Sequence, residues 1–210
     1  MKRLVYCFAF LILSIQFVKA QSSKVLFVGN SLTYTNNLPE LVEKEAKRQG
    51  IKVQSKMLAF PNYAIIDHWN DGEVQKLIQS EKYDYVVVQQ GPSSQKEGRQ
   101  MLIEDGARLQ KLCAKHDAKL VYFMVWPSRT YYYTFEGVIK NHKDAADMND
   151  ALLCPVGEAW KAYFDRNGDF SLYGRDGFHP SPKGSRLAAK VIVDTLFEND
   201  ETQTVRGSSN

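Results

Sequence analysis

The sequence predicts an α/β fold in which a mostly parallel sheet carries helices on both faces. Two observations predict it. Short apolar runs rich in β-branched residues recur along the chain, at Lys24–Gly29 (KVLFVG), Tyr85–Gln90 (YVVVQQ) and Lys119–Val125 (KLVYFMV). They are continuous rather than alternating, as strands buried on both faces are. Between them lie segments of ten or more residues with helical apolar spacing, long enough to cross over between parallel neighbours.

The elements follow in order. Residues 1–20 (MKRLVYCFAFLILSIQFVKA) place Lys2 and Arg3 before an apolar run from Leu4 to Val18 and end on the small Ala20, the layout of a secretory signal peptide. That run is shorter than the roughly 20 apolar residues of a spanning helix, and Ser14 and Gln16 interrupt it. The expectation is therefore cleavage after Ala20, a secreted or periplasmic location and no stable membrane insertion. Cys7 lies too early in the run to be a lipid-attachment residue. The KVLFVG strand comes next, then a helix over 38–49 with Leu38, Leu41, Val42 and Ala46 on one face and Gly50 as its stop. Val53–Leu58 is a second strand, Val74–Ser80 a short helix, and YVVVQQ the third strand. A helix over Gln100–His116 leads into KLVYFMV; Trp126–Thr134 (WPSRTYYYT) is an aromatic loop; a helix is expected from Phe135 to about Leu152. Pro155 interrupts the apolar stretch 151–156, helix resumes over Gly157–Phe164, and the last helix spans about Pro182 to Phe197. Residues 21–200 thus form one domain, and the polar residues 201–210 an unstructured tail.

Charge and cysteines narrow the function classes. Lys2, Arg3 and Lys19 are the only charges of the leader, so the rest of the chain balances 24 basic against 24 acidic residues. A neutral chain of about 190 residues suits one domain with a full core and has no electrostatic footprint for nucleic acid. Cys113 and Cys154 remain after export, where a disulfide is chemically possible but burial as free thiols is equally ordinary. Neither CxxC nor HExxH spacing occurs, so no metal and no other cofactor is expected.

Two short blocks carry the chemistry. Gly29-Asn30-Ser31-Leu32-Thr33 stands where the first strand ends, and a tight turn there lifts Ser31 to the carboxyl edge of the sheet, where open α/β sheets build their sites. Alone, a serine there is more often a helix cap or turn residue. Near the other end, Asp176-Gly177-Phe178-His179-Pro180-Ser181 sets an acid three residues before a histidine in one loop. A histidine that takes a seryl proton on one ring nitrogen needs an acceptor holding the other, and a carboxylate supplies it.

GNSLT and DGFHP, in that order, resemble the first and last blocks of the SGNH (GDSL-like) hydrolases, and the spacing of elements between them fits as well. The resemblance implies a flavodoxin-like three-layer α/β/α sandwich. It implies a carboxylic ester hydrolase with Ser31 as nucleophile, His179 as base and Asp176 as its partner. The middle blocks depart from the family pattern. Where the second block has a glycine whose N–H donates to the oxyanion, this chain has Phe60-Pro61-Asn62-Tyr63-Ala64, with Asn62 at the glycine position. Where the third block has an asparagine, it has Gly91-Pro92-Ser93-Ser94, with Ser93 at that position and Gln89 and Gln90 nearby. Asn62, Gln90 and Ser93 are the expected oxyanion donors.

Trp126, Tyr131, Tyr132 and Tyr133 follow the fourth strand, at the edge where a substrate would lie. Aromatic faces suit sugar rings, so Trp126 and Tyr131 are expected to bind substrate, or else to pack the loop onto the core. His68, beside Trp69, is expected to be structural; His116 and His142 sit among charges and are read as solvated. The expected function is a secreted esterase removing small acyl groups such as acetyl from small-molecule or glycan esters. The alternative is a carbohydrate-binding protein on the same fold with weak catalysis. An α/β-hydrolase is disfavoured, since no GxSxG occurs and the serine follows the first strand.

Overall fold

The structure is a computed structural model that describes residues 22–206, with side chains followed to Phe197 in the last helix. The expected leader, 1–20, and residues 207–210 of the expected tail lie outside the described residues. Among the described residues, no helix is long and apolar enough to cross a membrane.

The chain runs β1 (Ser23–Gly29), α1 (Ser31–Tyr34), a 3₁₀ turn at Thr35–Asn37, α2 (Leu38–Arg48), β2 (Val53–Ala59), α3 (Ile65–Asp71), α4 (Glu73–Ser80), β3 (Tyr85–Val88) and α5 (Lys96–Lys115). It continues through β4 (Lys119–Phe123), a 3₁₀ segment at Arg129–Thr134, α6 (Phe135–Met148), β5 (Leu152–Cys154), α7 (Val156–Asn167) and α8 (Pro182–Arg206). All neighbouring strands are parallel and the sheet order is β2-β1-β3-β4-β5. This is the doubly wound, flavodoxin-like order, which places the β1 and β3 carboxyl ends at the point where the winding reverses.

Strand alternation divides the core into two layers. Val25, Phe27, Val87, Val121 and Phe123 face α2, α7 and α8, where Val42, Trp160 and Ile192 meet them. Leu26, Val28, Val86, Val88 and Leu120 face α3, α4 and α5, where Ile65, Ile78 and Leu109 meet them. Full burial of each such side chain contributes about 1.5–3 kcal/mol, so strands buried on both faces anchor the sheet. β2 is an edge strand and shows it: Gln54 and Lys56 are exposed, and a lysine on an edge discourages pairing with other chains.

Several expected boundaries move. β3 ends at Val88: the Gln89 N–H still donates to Val28 O of β1 at 2.9 Å, while the side-chain amides of Gln89 and Gln90 turn to the flanking loops. The helix expected to reach about Leu152 ends at Met148, and the left-handed Asp150 (φ 46°) lets Leu152–Cys154 add to the sheet as β5. This strand was not expected, since three residues before a proline carry no period of their own. α3 was likewise not expected; Asp67 caps it by accepting the Ala64 N–H at 2.8 Å. α8 continues past Phe197 to Arg206, so residues 201–206, expected as tail, have helical backbone, extension of a packed helix being far cheaper than nucleation.

Cys113 and Cys154 are free and buried on opposite sides of the sheet, so no disulfide joins them. Burial pushes both thiols up to about 12. His142, expected on a solvated face, is instead wholly buried in α6.

Candidate active site

The nucleophile turn is clamped on every side. Asn30 caps α1: its Oδ1 accepts the Leu32 N–H at 3.1 Å and its Nδ2 donates to Tyr63 O at 2.9 Å. Gln89 meets it in a two-way pair, with Asn30 N–H donating to Gln89 Oε1 (3.0 Å) and Gln89 Nε2 donating to Asn30 Oδ1 (3.0 Å). The Thr33 hydroxyl also donates to Gln89 Oε1 at 2.8 Å. On the other flank, Gly29 O accepts from His68 Nε2–H at 2.8 Å and from Phe60 N–H at 3.2 Å. His68 is buried, in keeping with its expected structural role, and that burial lowers its pKa. Ser31 opens α1, where the first N–H groups of a helix have no intrahelical acceptor.

These contacts explain why the residue before Asn30 is glycine. A Cβ on Gly29 would lie 2.4 Å from Thr33 Oγ1 and 2.5 Å from Gln89 Oε1. Gly29→Ala is therefore expected to push the turn off its geometry and lower kcat by about 10²-fold, the usual cost of roughly 1 Å of misplacement, with the fold retained by circular dichroism. Adding Thr33→Ala, which removes one of the two clashing atoms, is expected to recover part of the loss. Unchanged kcat in Gly29→Ala would show that the clamp does not set the position of Ser31.

The second block closes on the first across the sheet edge. Gly177 takes φ 70°, which lets the loop reverse between Asp176 and His179. Asp176 Oδ1 then accepts the N–H groups of Phe178 and His179 (both 3.0 Å), while Oδ2 accepts His179 Nδ1–H at 2.5 Å. His179 Nε2 accepts from the Ser31 hydroxyl at 2.9 Å, across 148 residues of chain. The imidazole beside Asp176, and the backbone N–H groups it accepts, hold its carboxyl below the usual range. The loop is fixed from three directions: Gly174 N–H donates to His179 O at 2.7 Å, Arg129 N–H to Gly177 O at 2.8 Å, and Asn36 Nδ2 to Pro180 O at 3.0 Å. The last of these ties the segment after Ser31 directly to the histidine loop.

The three expected oxyanion donors separate. Asn62 is exposed and adopts φ 63°, the left-handed conformation that glycine takes freely and asparagine tolerates. Gln90 and Ser93 are buried and already engaged with each other. Gln90 Nε2 donates to Ser93 Oγ at 2.9 Å, Ser93 Oγ donates to Gly91 O at 3.0 Å, and Gln90 Oε1 accepts from Ile65 N–H at 3.4 Å. They knit the loop after β3. Gln89, named from the sequence only as a nearby amide, pairs instead with Asn30 and Thr33 of the nucleophile turn.

The aromatic cluster also divides. Trp126 is 0% exposed, stacks on Trp160 at 3.5 Å between centroids, and donates its Nε1–H to Phe178 O at 3.0 Å. It holds the histidine loop from beneath and offers no face to a substrate, which corrects its expected binding role. Tyr131 is exposed at 57% and Tyr133 at 78%. With Pro92, Ser94, Gln95 and Phe178 they border a cleft of about 450 Å³. Among the described residues, no group of three His, Cys, Asp or Glu side chains is placed to hold a metal ion.

By sequence, no family model and no curated protein matches the chain. Solved structures do. A protein of Slackia heliotrinireducens assigned to the SGNH hydrolases is 26% identical, with a TM-score of 0.71 over 84% of this chain and 100% of that one. An acetyl xylan esterase is 16% identical, with a TM-score of 0.68 over 83% of this chain and 100% of that one. A lipase/acylhydrolase from Enterococcus faecalis is 16% identical, with a TM-score of 0.67 over 84% and 96%. At this identity the last two speak for the fold.

Proposed function

We propose that this chain, an SGNH-type carboxylic ester hydrolase, is an exported serine esterase that removes small acyl groups, such as acetyl, from esters of carbohydrates or related alcohols. The observation that carries the reading is the unbroken chain Ser31 Oγ–H to His179 Nε2 (2.9 Å) and His179 Nδ1–H to Asp176 Oδ2 (2.5 Å) at the carboxyl edge of the sheet. Export rests on the layout of residues 1–20. An acetyl xylan esterase among the structural neighbours is in keeping with an acetyl ester as substrate.

Each group then has a task. His179 takes the hydroxyl proton as Ser31 Oγ attacks the ester carbonyl, and Asp176 steadies the imidazolium that forms. In this reading the N–H groups of Ser31 and Asn62 are the donors to the developing oxyanion, where one donor is worth on the order of 10²-fold or more in rate. His179 returns its proton to the leaving alcohol, and water then releases the acyl group through the same base.

The test is hydrolysis of p-nitrophenyl acetate and of longer acyl esters by the purified protein without residues 1–20, with fluorophosphonate labelling mapped by mass spectrometry. Acetyl turnover and a single label on Ser31 are expected. No turnover and no label would sink the esterase reading and leave carbohydrate binding without catalysis as the better account of the site.

A further inference from the structure

The cleft beside the histidine loop is far larger than an acetyl group, and its lining says what else it holds. We propose that it seats the alcohol portion of the ester, and that this portion is an uncharged sugar, with Tyr131 and Tyr133 as the residues that select it. The proposal rests on the esterase reading above and narrows its alcohol side to an uncharged sugar seated at a named place.

Position comes first. Phe178 borders the cleft and precedes His179 in the chain; the two rings meet edge-on at 5.2 Å. His179 is in turn hydrogen-bonded to Ser31; neither residue lines the cleft, which meets them through Phe178, so a group seated there extends away from the reacting ester on the His179 side. At about 450 Å³ the space falls within the range that holds ligands of several rings, which an acetyl group would leave mostly empty.

Chemistry comes next. Aromatic faces and proline line the cleft together with hydroxyls and an amide, at Ser94, Gln95 and Thr134, and no charged side chain lines it among the described residues. A pyranose offers C–H faces to rings and hydroxyls to polar side chains. A long acyl chain would strip water from those polar groups without replacing their hydrogen bonds. An anionic sugar would find no cation to offset its desolvation.

The wall is also built in advance. Of three consecutive tyrosines the middle one turns inward: Tyr132 packs against Phe135 and Phe170 at 4.9 and 5.8 Å, and its hydroxyl donates to Asp165 at 3.0 Å. That anchor turns Tyr131 and Tyr133 outward, where their rings meet edge-on at 6.2 Å. Thr134 Oγ1 donates back to Tyr131 O at 2.7 Å and fixes the turn. Opposite, α6 runs so close to the loop after β3 that a Cβ on Gly137 would lie 2.9 Å from Ser94 O, and Asn141 Nδ2 of α6 donates to Ser93 O at 2.8 Å and to Gln95 O at 3.3 Å, fixing the loop on both sides of Ser94.

The experiment compares wild type, Tyr131→Ala/Tyr133→Ala and Tyr131→Phe/Tyr133→Phe on acetylated xylotriose, an acetylated oligogalacturonide and ethyl acetate. A second series varies acyl length from acetyl to octanoyl on p-nitrophenol. In wild type the neutral oligosaccharide is expected to be preferred over the anionic one. The alanine pair is expected to lower the ratio of kcat/KM for acetylated xylotriose to that for ethyl acetate by roughly tenfold, mainly through KM, as loss of ring stacking should. The phenylalanine pair, which keeps the ring faces, is expected to restore the ratio. A changed acyl-length preference in the alanine pair would make the cleft an acyl pocket, and a preference for the oligogalacturonide would remove the neutral-sugar assignment; either overturns the proposal. If wild type hydrolyses none of these esters, the esterase reading fails on its own. Calorimetric binding of xylotriose that the alanine pair loses would then still support the cleft, and no binding would overturn it as well.

Discussion

His179→Ala and Ser31→Ala are each expected to lower kcat for p-nitrophenyl acetate by on the order of 10⁴-fold or more, because the serine, its base and its orienting acid act as a unit. The double variant should be hardly worse than either single one, since the unit is already broken. Asp176→Asn makes the finer test. Asparagine keeps an oxygen for the N–H groups of Phe178 and His179, which Asp176 Oδ1 now accepts. Its amide would then face His179 Nδ1 with a donor, turning the ring to the tautomer that presents Nε2–H to Ser31. Proton transfer from Ser31 would have no acceptor. The Asp176 side chain is 51% exposed, so water screens and partly replaces it, and the expected loss is about 10²-fold rather than the roughly 10⁴-fold seen when such an acid is buried. Activity within tenfold of wild type in His179→Ala would show that the hydrogen-bonded chain is not the catalytic one.

The parts of this site that were legible in the sequence are those whose geometry is local. GNSLT follows a strand, and one loop carries both Asp176 and His179, so a turn at each place is enough to present the side chains. The parallel sheet was legible for a similar reason: runs such as KVLFVG are too uniformly apolar to have a wet face. What escaped depends on chain segments far apart. Gln89 is an amide at the end of an apolar strand, and only the folded sheet reveals that it meets Asn30 and Thr33 across 59 and 56 residues. Trp126 belonged to an aromatic run with no period, so nothing local separated a ring that supports the histidine loop from rings that face solvent. β5 is three residues long and takes its strand character from β4 rather than from its own composition. Asn62 lies between these cases. The resemblance marked its position, and its left-handed backbone is a property of the fold that asparagine permits without dictating.

His142 was hidden by its charged neighbours in sequence, and its burial leads to an acid-sensitive stability. Its Nδ1–H donates to Val138 O at 2.8 Å, its Nε2 has no hydrogen-bond partner, and burial drives its pKa down to about 4. An unfolded histidine titrates near 6.5. Between those two values the unfolded chain binds more protons than the folded one, so stability is fully present above about pH 6.5 and is lost as pH falls toward 4. At about 1.4 kcal/mol per pKa unit, the loss from pH 7 to pH 4.5 is about 2 kcal/mol. Urea unfolding of wild type and His142→Leu at both pH values checks this. The difference between the two proteins should shift by that amount in favour of the variant at pH 4.5, because leucine fills the site and takes up no proton. His68, also buried and with its pKa lowered, titrates in the same direction, so the slope left in His142→Leu measures its share together with that of the carboxylates. Equal pH dependence in the two proteins would mean that the α6 imidazole is wet and protonated in the native state, and would return His142 to the solvated face from which its sequence neighbours suggested it came.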